Sequence, residues 1–218
     1  MALPMMSTPT YNLVIPSTGE KVRYRPFLVK EEKALLIAQQ SEETEVMVES
    51  LKQVIGGCVL DKINVDELAT FDIEYIFTQI RAKSVGEVVE LLFPCDEDHG
   101  EDQDKAKLKI SIDISNLEVE FPEGHSKKID LFGDVGVVMK YPSFSVMSKL
   151  ENLDITNVDN IFDVIASCVD IIYQGEEIYY AKEQSKEELL DFLYNLTNDQ
   201  FVKLQQFFAK MPKISKKV

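Results

Sequence analysis

The residues best suited to chemistry lie in one acidic stretch, Cys95–Asp104, which combines a thiol, the imidazole of His99 and several carboxylates. Cys95 and His99 would supply half of a zinc site. A closed structural zinc site needs four ligands, and no second pair follows nearby, since the only later histidine is His125. The stretch therefore predicts no complete zinc site.

The same acidic stretch does not fit a calcium-binding loop. Counted from Asp96, the position of the turn glycine falls on Glu101 and that of the twelfth-position acid falls on Lys107. A solvated tip between two strands is the favoured interpretation. A weak divalent-cation site and a zinc site are the alternatives. We expect no cofactor and no tightly bound metal.

Signatures of enzymes are missing from the rest of the sequence. Ile55–Cys58 contains paired glycines but lacks the Lys-Ser/Thr pair of a phosphate-binding loop, and no serine lies in a nucleophile elbow. Cys58 and Cys168 lie among apolar residues, which is typical of core residues rather than reactive thiols. Three widely spaced cysteines favour a reducing compartment over a disulfide framework. These patterns predict a protein that is not an enzyme.

The charge balance restricts the partners. The 218 residues carry a formal net charge of −15, with 45% hydrophobic and 28% charged residues. Such a surface repels phosphate backbones and anionic membranes, so neither nucleic acid nor membrane is an expected partner. The sequence opens without a charged-then-apolar leader, and its apolar runs are shorter than the roughly 20 residues that cross a bilayer, which favours the cytoplasm.

Hydrophobic periodicity predicts an α+β fold in three regions, of which residues 1–86 form the first. Pro26 is expected to end a strand because it lacks the N–H that a strand donates. Leu35, Leu36 and Ala38 are expected to form the buried stripe of the first helix. The predicted elements are a hairpin of Tyr11–Ile15 with Lys21–Arg25 and helices over about 30–40, 43–59 and 70–83.

Residues 87–142 form the second region, which is rich in short β segments. Leu108, Ile110, Ile112 and Ile114 alternate with polar residues, and this pattern predicts a half-buried strand over 106–114. A small central antiparallel sheet is the natural assembly of this strand with its neighbours. The further strands are expected at 87–93, 117–121 and 136–141.

Residues 143–218 form the third region, which is mostly helical and either stands alone or continues the first region as one domain. Ser185 with Glu188, and Thr197 with Gln200, match capping boxes that start amphipathic helices. The other expected elements are helices over 143–153 and 157–168 and a hairpin of 169–173 with 177–181.

Aromatic residues and clustered cations are the candidates for partner binding. Aromatic residues at helical spacing near the C-terminus either fill the core or line a partner groove, and Phe192, Phe201 and Phe207 are expected to be surplus to the core. Cations near strand–helix junctions either neutralise nearby internal acids, which is the favoured interpretation, or meet an acidic partner. The candidate residues are Arg25, Pro26, Phe27, Lys30, Arg81, Lys83, Phe201, Phe207 and Phe208.

Four blocks of sequence resemble the baseplate hub proteins of contractile-tailed bacteriophages of the T-even type. They follow one another in the expected order over about Leu13 to Lys213. One departure concerns Cys95, since some relatives carry a cysteine pair where this chain has a single cysteine and an acidic loop. The blocks are Ser17–Lys33, Phe71–Phe77 with Arg81–Gly86, Gly136–Pro142 and Phe207–Lys213.

The resemblance implies a non-enzymatic protein that is needed to build the central hub of the tail baseplate. Its expected partners are other hub proteins or the tape-measure protein, and its expected location is the host cytoplasm during assembly. A hub assembly factor is the first interpretation, and a minor structural subunit retained in the virion is the alternative. A metal-dependent enzyme is the third, and it depends on Cys95–Asp104 alone.

Overall fold

The structure, a computed structural model, describes residues 7–41, 43–94, 107–151 and 158–215. Helices alternate with small antiparallel sheets, so the α+β prediction is confirmed. The helices are α1 (Val29–Ser41), α2 (Thr44–Cys58), α3 (Thr70–Ser84), α4 (Phe144–Glu151), α5 (Val158–Ser167), α6 (Lys186–Tyr194) and α7 (Asn198–Ala209). The strands are β1 (Tyr11–Val14), β2 (Lys21–Tyr24), β3 (Val88–Pro94), β4 (Lys107–Asp113), β5 (Glu118–Glu120), β6 (Lys128–Phe132), β7 (Val135–Met139), β8 (Val169–Gln174), β9 (Glu177–Tyr180) and β10 (Lys213–Ser215).

The chain divides into two compact units. The first unit comprises residues 1–63, 74–118 and 214–218, and the second comprises residues 64–73 and 119–213. The division into three consecutive regions stays a prediction.

The first unit begins with the predicted hairpin, in which Tyr11 of β1 lies opposite Tyr24 of β2. After α2 the chain returns along β2, since the Leu60 N–H donates to the Arg23 carbonyl at 2.8 Å. The side of α1 that faces inward carries Glu31, Ala34, Leu35 and Ala38, at the spacing of one helical face. The expectation that Leu36 lies in this stripe is wrong, because the face is fixed by Glu31 and leaves Leu36 53% exposed.

The second unit contains a four-stranded antiparallel sheet in the order β6-β7-β8-β9. Strand β6 was not expected from the sequence, although the two-residue turn Gly133-Asp134, with Gly133 at φ 56°, is a hairpin signal. The predicted single central sheet is wrong. Strands β3 and β4 pair only with each other among the described strands, whereas β7 pairs with β6 and β8.

The core of the second unit lies between this sheet and the helices that follow it. Helix α7 packs against β6, and α5 packs against α6. Leu204 of α7 and Val137 of β7 are fully buried, and Leu193 of α6 is 2% exposed. Both predicted capping boxes are present, at Ser185 for α6 and at Thr197 for α7. The cap at Thr197 therefore fixes where α7 begins.

We expect Thr197→Ala to lower the free energy of unfolding by about 1 kcal/mol, because it removes the side chain that caps α7. Thr197 Oγ1 accepts from the Gln200 N–H at 3.4 Å, and Gln200 Oε1 accepts from the Thr197 N–H at 2.8 Å. Denaturant unfolding measures the change. Thr197→Ser is the matched control and keeps the cap, so a loss as large as that of the alanine variant would contradict this account.

Candidate partner-binding surfaces

The side chain of Arg25 joins three elements of the first unit. Its Nη2 donates to Glu31 Oε1 in the first turn of α1 at 2.9 Å and to the Gly57 carbonyl near the end of α2 at 2.7 Å. Its Nη1 donates to the Pro26 carbonyl at 2.9 Å, directly after β2. The side chains of Arg25 and Glu31 are only 12% and 8% exposed. Arg25 is therefore paired internally, as the favoured interpretation predicts for this cation.

Glu31 serves a second role at the start of α1. Its Oε2 accepts from the backbone N–H of Leu28 at 2.8 Å, which satisfies a donor that the helix itself leaves unpaired. Burial would raise the pKa of Glu31, but the hydrogen bonds from Arg25 and from the Leu28 amide outweigh it and hold the pKa below its ordinary value. The ion pair is thus fully hydrogen-bonded, which is the condition under which a buried pair is tolerated.

Two groups of the candidate residues, Arg25–Lys30 and Arg81–Lys83, lie close to each other in the first unit. The Phe27 N–H donates to Ser84 Oγ at 2.9 Å, directly after the end of the candidate pair Arg81 and Lys83. Lys83 pairs with Glu87 and lies 5.5 Å from the ring of Tyr11.

The remaining cations of this group differ in exposure. The Lys30 side chain is 72% exposed, with its Nζ 3.3 Å from Glu31 Oε1. Arg81 has a buried Nη1 that finds no hydrogen-bond partner in the described part of the chain. Of the cations proposed from the sequence, Lys30 is thus the one whose charge is most accessible to a partner.

The hairpin of β3 and β4, which we call the ribbon, presents one face made only of apolar side chains. Directly opposite residues of an antiparallel pair point to the same side. The pairs Val89–Ile112, Leu91–Ile110 and Phe93–Leu108 therefore share one face. Leu91, Ile110, Phe93 and Leu108 are 37%, 39%, 45% and 57% exposed. The predicted burial of Leu108 and Ile110 is wrong, because the apolar face is open to solvent at this end of the strand, whereas Ile112 is half-buried and Ile114 is 8% exposed.

The other face of the ribbon is mixed in character. Glu90 and Lys109 form an ion pair at 2.7 Å on this side, and Ser111 lies opposite Glu90. Leu92, 62% exposed, is an apolar residue next to these polar groups. The ribbon thus has one charge-free face and one polar face, and Leu92 offers a comparison between them.

The C-terminal aromatic residues contribute to the core of the second unit. Phe207 is 3% exposed, so the expectation that it is surplus to the core is wrong. Phe201 stacks on Phe162 with ring centroids 4.9 Å apart, and Phe208 packs edge-on against Phe207 at 5.3 Å. Both are half-buried against the same core, because the face of α7 that turns to the sheet carries them inward.

A groove of about 170 Å³ lies over Phe207 in the second unit. Sequence reasoning did not single it out, since its two walls are far apart in the chain. Lys203 comes from α7, and Lys210 follows the last residue of that helix. Lys128 is the first residue of β6, and His125 lies in the segment that leads into this strand. We call this the cationic groove and define it by Lys128, Lys203, Lys210, His125, Gln206 and Phe207.

An aromatic stack forms the floor of the cationic groove. The rings of His125 and Phe207 are 5.1 Å apart, and Tyr141 lies 5.6 Å from each of them. The Nε2 of His125 hydrogen-bonds with the Tyr141 hydroxyl at 2.9 Å. Burial lowers the pKa of His125, and the charges of Lys127 and Lys210 lower it further.

Metal ligation and reactive thiols find no support in the described ranges. No group of three or more His, Cys, Asp or Glu side chains is placed there to hold a metal ion. Burial raises the pKa of Cys58 and of Cys168 to about 11, so both are protonated core thiols as predicted. Cys95–Asp104 lies outside the described residues. No described helix is both long enough and apolar enough to span a bilayer.

A family model described as the T4 bacteriophage base plate protein matches residues 8–218. The chain belongs to this family. The resemblance to proteins of the T-even baseplate is thereby confirmed at the level of the family, whereas the hub is a finer assignment. No curated protein and no solved structure matches the sequence. In the described part of this baseplate protein, the charge-free face of the ribbon and the cationic groove are two solvent-exposed candidate surfaces.

We expect Arg25→Ala to lower the free energy of unfolding by about 3 kcal/mol, because it leaves the Glu31 carboxylate buried without its charged partner. Thermal or denaturant unfolding of the purified protein measures the loss. Arg23→Ala is the matched control. Arg23 also pairs with an acid, Asp61, at 2.7 Å, but those side chains are 62% and 31% exposed, so little change is expected.

The pH dependence of this stability loss distinguishes loss of the Arg25–Glu31 ion pair from loss of packing by the Arg25 side chain. Because the folded pKa of Glu31 is lowered, its contribution is present above the unfolded pKa of about 4.3 and is lost as the pH falls through the folded pKa. The stability difference between the wild type and Arg25→Ala should therefore shrink in acid. A difference that stays constant from neutral pH to acid, or an equal loss for Arg23→Ala, would contradict the buried pair.

Proposed function

We propose that this baseplate protein is a non-enzymatic factor for assembly of the central hub, and that it docks on another hub protein or on the tape-measure protein. The observation that carries the proposal is the charge-free face of the ribbon. Exposed apolar faces of this kind mark protein–protein interaction sites. Membership of a phage baseplate family makes another baseplate protein the expected partner class.

The ribbon is suited to docking for two reasons. A two-stranded hairpin has no second layer of its own to cover an apolar face, and such hairpins are marginally stable alone. The six side chains Val89, Leu91, Phe93, Leu108, Ile110 and Ile112 also carry no charge, so the face avoids the repulsion that a net charge of −15 imposes elsewhere. Burial against a partner would thus stabilise the ribbon and the complex together.

The candidate partner-binding residues proposed from the sequence include a second exposed surface that fits the same function. Lys30 is exposed next to Leu28 and Val29, which are 40% and 79% exposed. We propose that this corner of the first unit contributes a secondary contact, with Arg25, Pro26 and Phe27 holding it in shape. Arg81 and Lys83 are proposed to contribute through the end of α3, and Phe201, Phe207 and Phe208 through the position of α7.

A structural subunit retained in the virion is the second candidate. The name of the family favours it, since the family is described as a base plate protein. The same apolar face of the ribbon would then be buried permanently rather than during assembly alone. Both candidates place the protein at the baseplate of the phage tail, and the assembly factor would act in the host cytoplasm.

We expect the double substitution Phe93→Ser/Leu108→Ser to weaken binding to the hub partner by about 2 kcal/mol or more, roughly thirtyfold in Kd. The two side chains face each other across the ribbon and are both exposed. The free energy of unfolding should fall by no more than about 1 kcal/mol, the value of a cross-strand pair. Affinity capture from infected cells, quantified for co-purifying tail proteins, measures the effect.

Leu92→Ser is the matched control for this experiment. Leu92 is at least as exposed as Phe93 and Leu108, at 62%, but lies on the other face of the ribbon. It should leave capture and tail assembly unchanged. Equal loss for both variants would indicate a general effect on solubility, and full binding by the double variant would refute docking through the apolar face.

We expect purified virions to contain far less than one copy of this chain per copy of a baseplate protein, because an assembly factor leaves after the hub is complete. Quantitative mass spectrometry of virions against known baseplate proteins decides the point. Stoichiometric presence in the particle would favour the structural subunit instead. The same measurement on hub assembly intermediates is the control, since both candidates require the protein there.

A further inference from the structure

We propose that the cationic groove of the second unit binds a short acidic segment of a partner protein, rich in Asp or Glu. This site is separate from the ribbon, and the proposal does not depend on hub docking through the ribbon. The ligand class is identified by the groups that line the groove, which are lysine ammonium groups above an aromatic floor.

The groove combines a helical stripe with an opposing wall. Lys203, Gln206 and Phe207 follow the spacing i, i+3 and i+4, so they lie along one face of α7, and Lys210 follows directly after the helix. Lys128, the first residue of β6, and His125, which precedes that strand, form the opposing wall. A peptide lying between the walls would meet cations on both sides and a ring below. This arrangement suits an extended segment with carboxylates pointing to either side.

The lysines of the groove keep most of their charge available to a ligand. Elsewhere Arg23, Arg25, Lys83, Lys109 and Lys186 each pair with a carboxylate. Within the described ranges, Lys203 and Lys210 have no carboxylate within 4.0 Å, and Lys128 has only Asp130 at 3.9 Å. The groove thus brings three lysines together, two of them without a paired carboxylate, in a protein of net charge −15.

Lys203 is held in position for a ligand. Its Nζ donates to the backbone carbonyls of Asp130 and Leu131 at 2.8 and 3.0 Å. An ammonium group has three donors, so one N–H and the full charge remain for an incoming carboxylate. Because the side chain is already ordered, binding costs little further conformational entropy.

The floor of the groove adds hydrogen-bonding capacity. His125 Nδ1 is buried and has no hydrogen-bond partner in the described residues. The ring packs against both Tyr141 and Phe207, which also contact each other, and these contacts restrict its orientation. A carboxylate at the groove would offset the positive charges of Lys127 and Lys210, which act on His125 now. Ligand binding should therefore be visible at this histidine.

The alternative anion is a nucleic acid, and charge argues against it. A long polyanion must run across the surface beyond the groove, where 38 acids against 23 bases repel it. A short acidic segment can enter the groove and end there. The length of the anion therefore distinguishes the two ligands, and both belong in the test.

The experiment follows the imidazole signals of the full-length protein by NMR while a hexaglutamate peptide is added at constant ionic strength. The chain has 2 histidines, so His99→Gln assigns the signals of His125 without further labelling. We expect saturable shifts at His125 and a raised pKa for this residue in the complex. Lys203→Glu/Lys210→Glu should weaken binding by about tenfold or more, because attraction is replaced by repulsion at both positions.

Lys62→Glu/Lys182→Glu is the control, because it makes the same change in net charge at exposed positions outside the groove. This variant should bind hexaglutamate with an affinity within about twofold of that of the wild type. If the groove variant fails to fold, Lys210→Gln decides, with weaker binding expected. The proposal is wrong if His125 does not respond, if both double variants weaken binding equally, or if inorganic phosphate or a short single-stranded DNA binds as tightly as hexaglutamate. Normal hub capture by the groove variant would leave ribbon docking intact and separates the two proposals.

Discussion

An excess of acids over bases, 38 against 23, constrains the contacts that this chain makes. Two uses of its cations can be distinguished. Arg25 lies inside the first unit, where it neutralises the Glu31 carboxylate and donates a hydrogen bond to the Gly57 carbonyl near the end of α2. Lys203 and Lys210 of the second unit stay available in the cationic groove. A surface without charge avoids the repulsion that the excess of acids imposes, and the apolar face of the ribbon is such a surface.

Local elements could be predicted from the sequence where side chains act within a few residues of one another. The capping boxes at Ser185 and Thr197 fix the starts of α6 and α7 through contacts three residues apart. The first hairpin was likewise predicted, and its turn is local, since the Gly19 N–H donates to the Ile15 carbonyl at 2.8 Å. Even so, the inward face of α1 was misjudged. The position of Glu31 depends on Arg25 and on the Gly57 carbonyl, and neither belongs to that helix.

The candidate partner-binding surfaces were harder to predict, because the sequence does not show which other segment covers a given face. The alternation from Leu108 to Ile114 shows that β4 has an apolar side, but it does not show whether the same chain or a partner buries that side. The cationic groove could not be predicted because it depends on long-range packing. His125 and Lys203 lie far apart in sequence, and only the packing of α7 against β6 brings them together. The spacing of Lys203, Phe207 and Lys210 in the sequence is the one local signal of this groove.

The central claim is that the ribbon is covered by a baseplate partner. Hydrogen–deuterium exchange tests it most directly, with the free protein compared with hub assembly intermediates purified through this chain. The account predicts that the amides of residues 88–93 and 108–112 exchange quickly in the free protein and slowly in the intermediate, because packing against a partner excludes water from the ribbon. Unchanged exchange in the ribbon, with protection confined to other segments, would contradict the account.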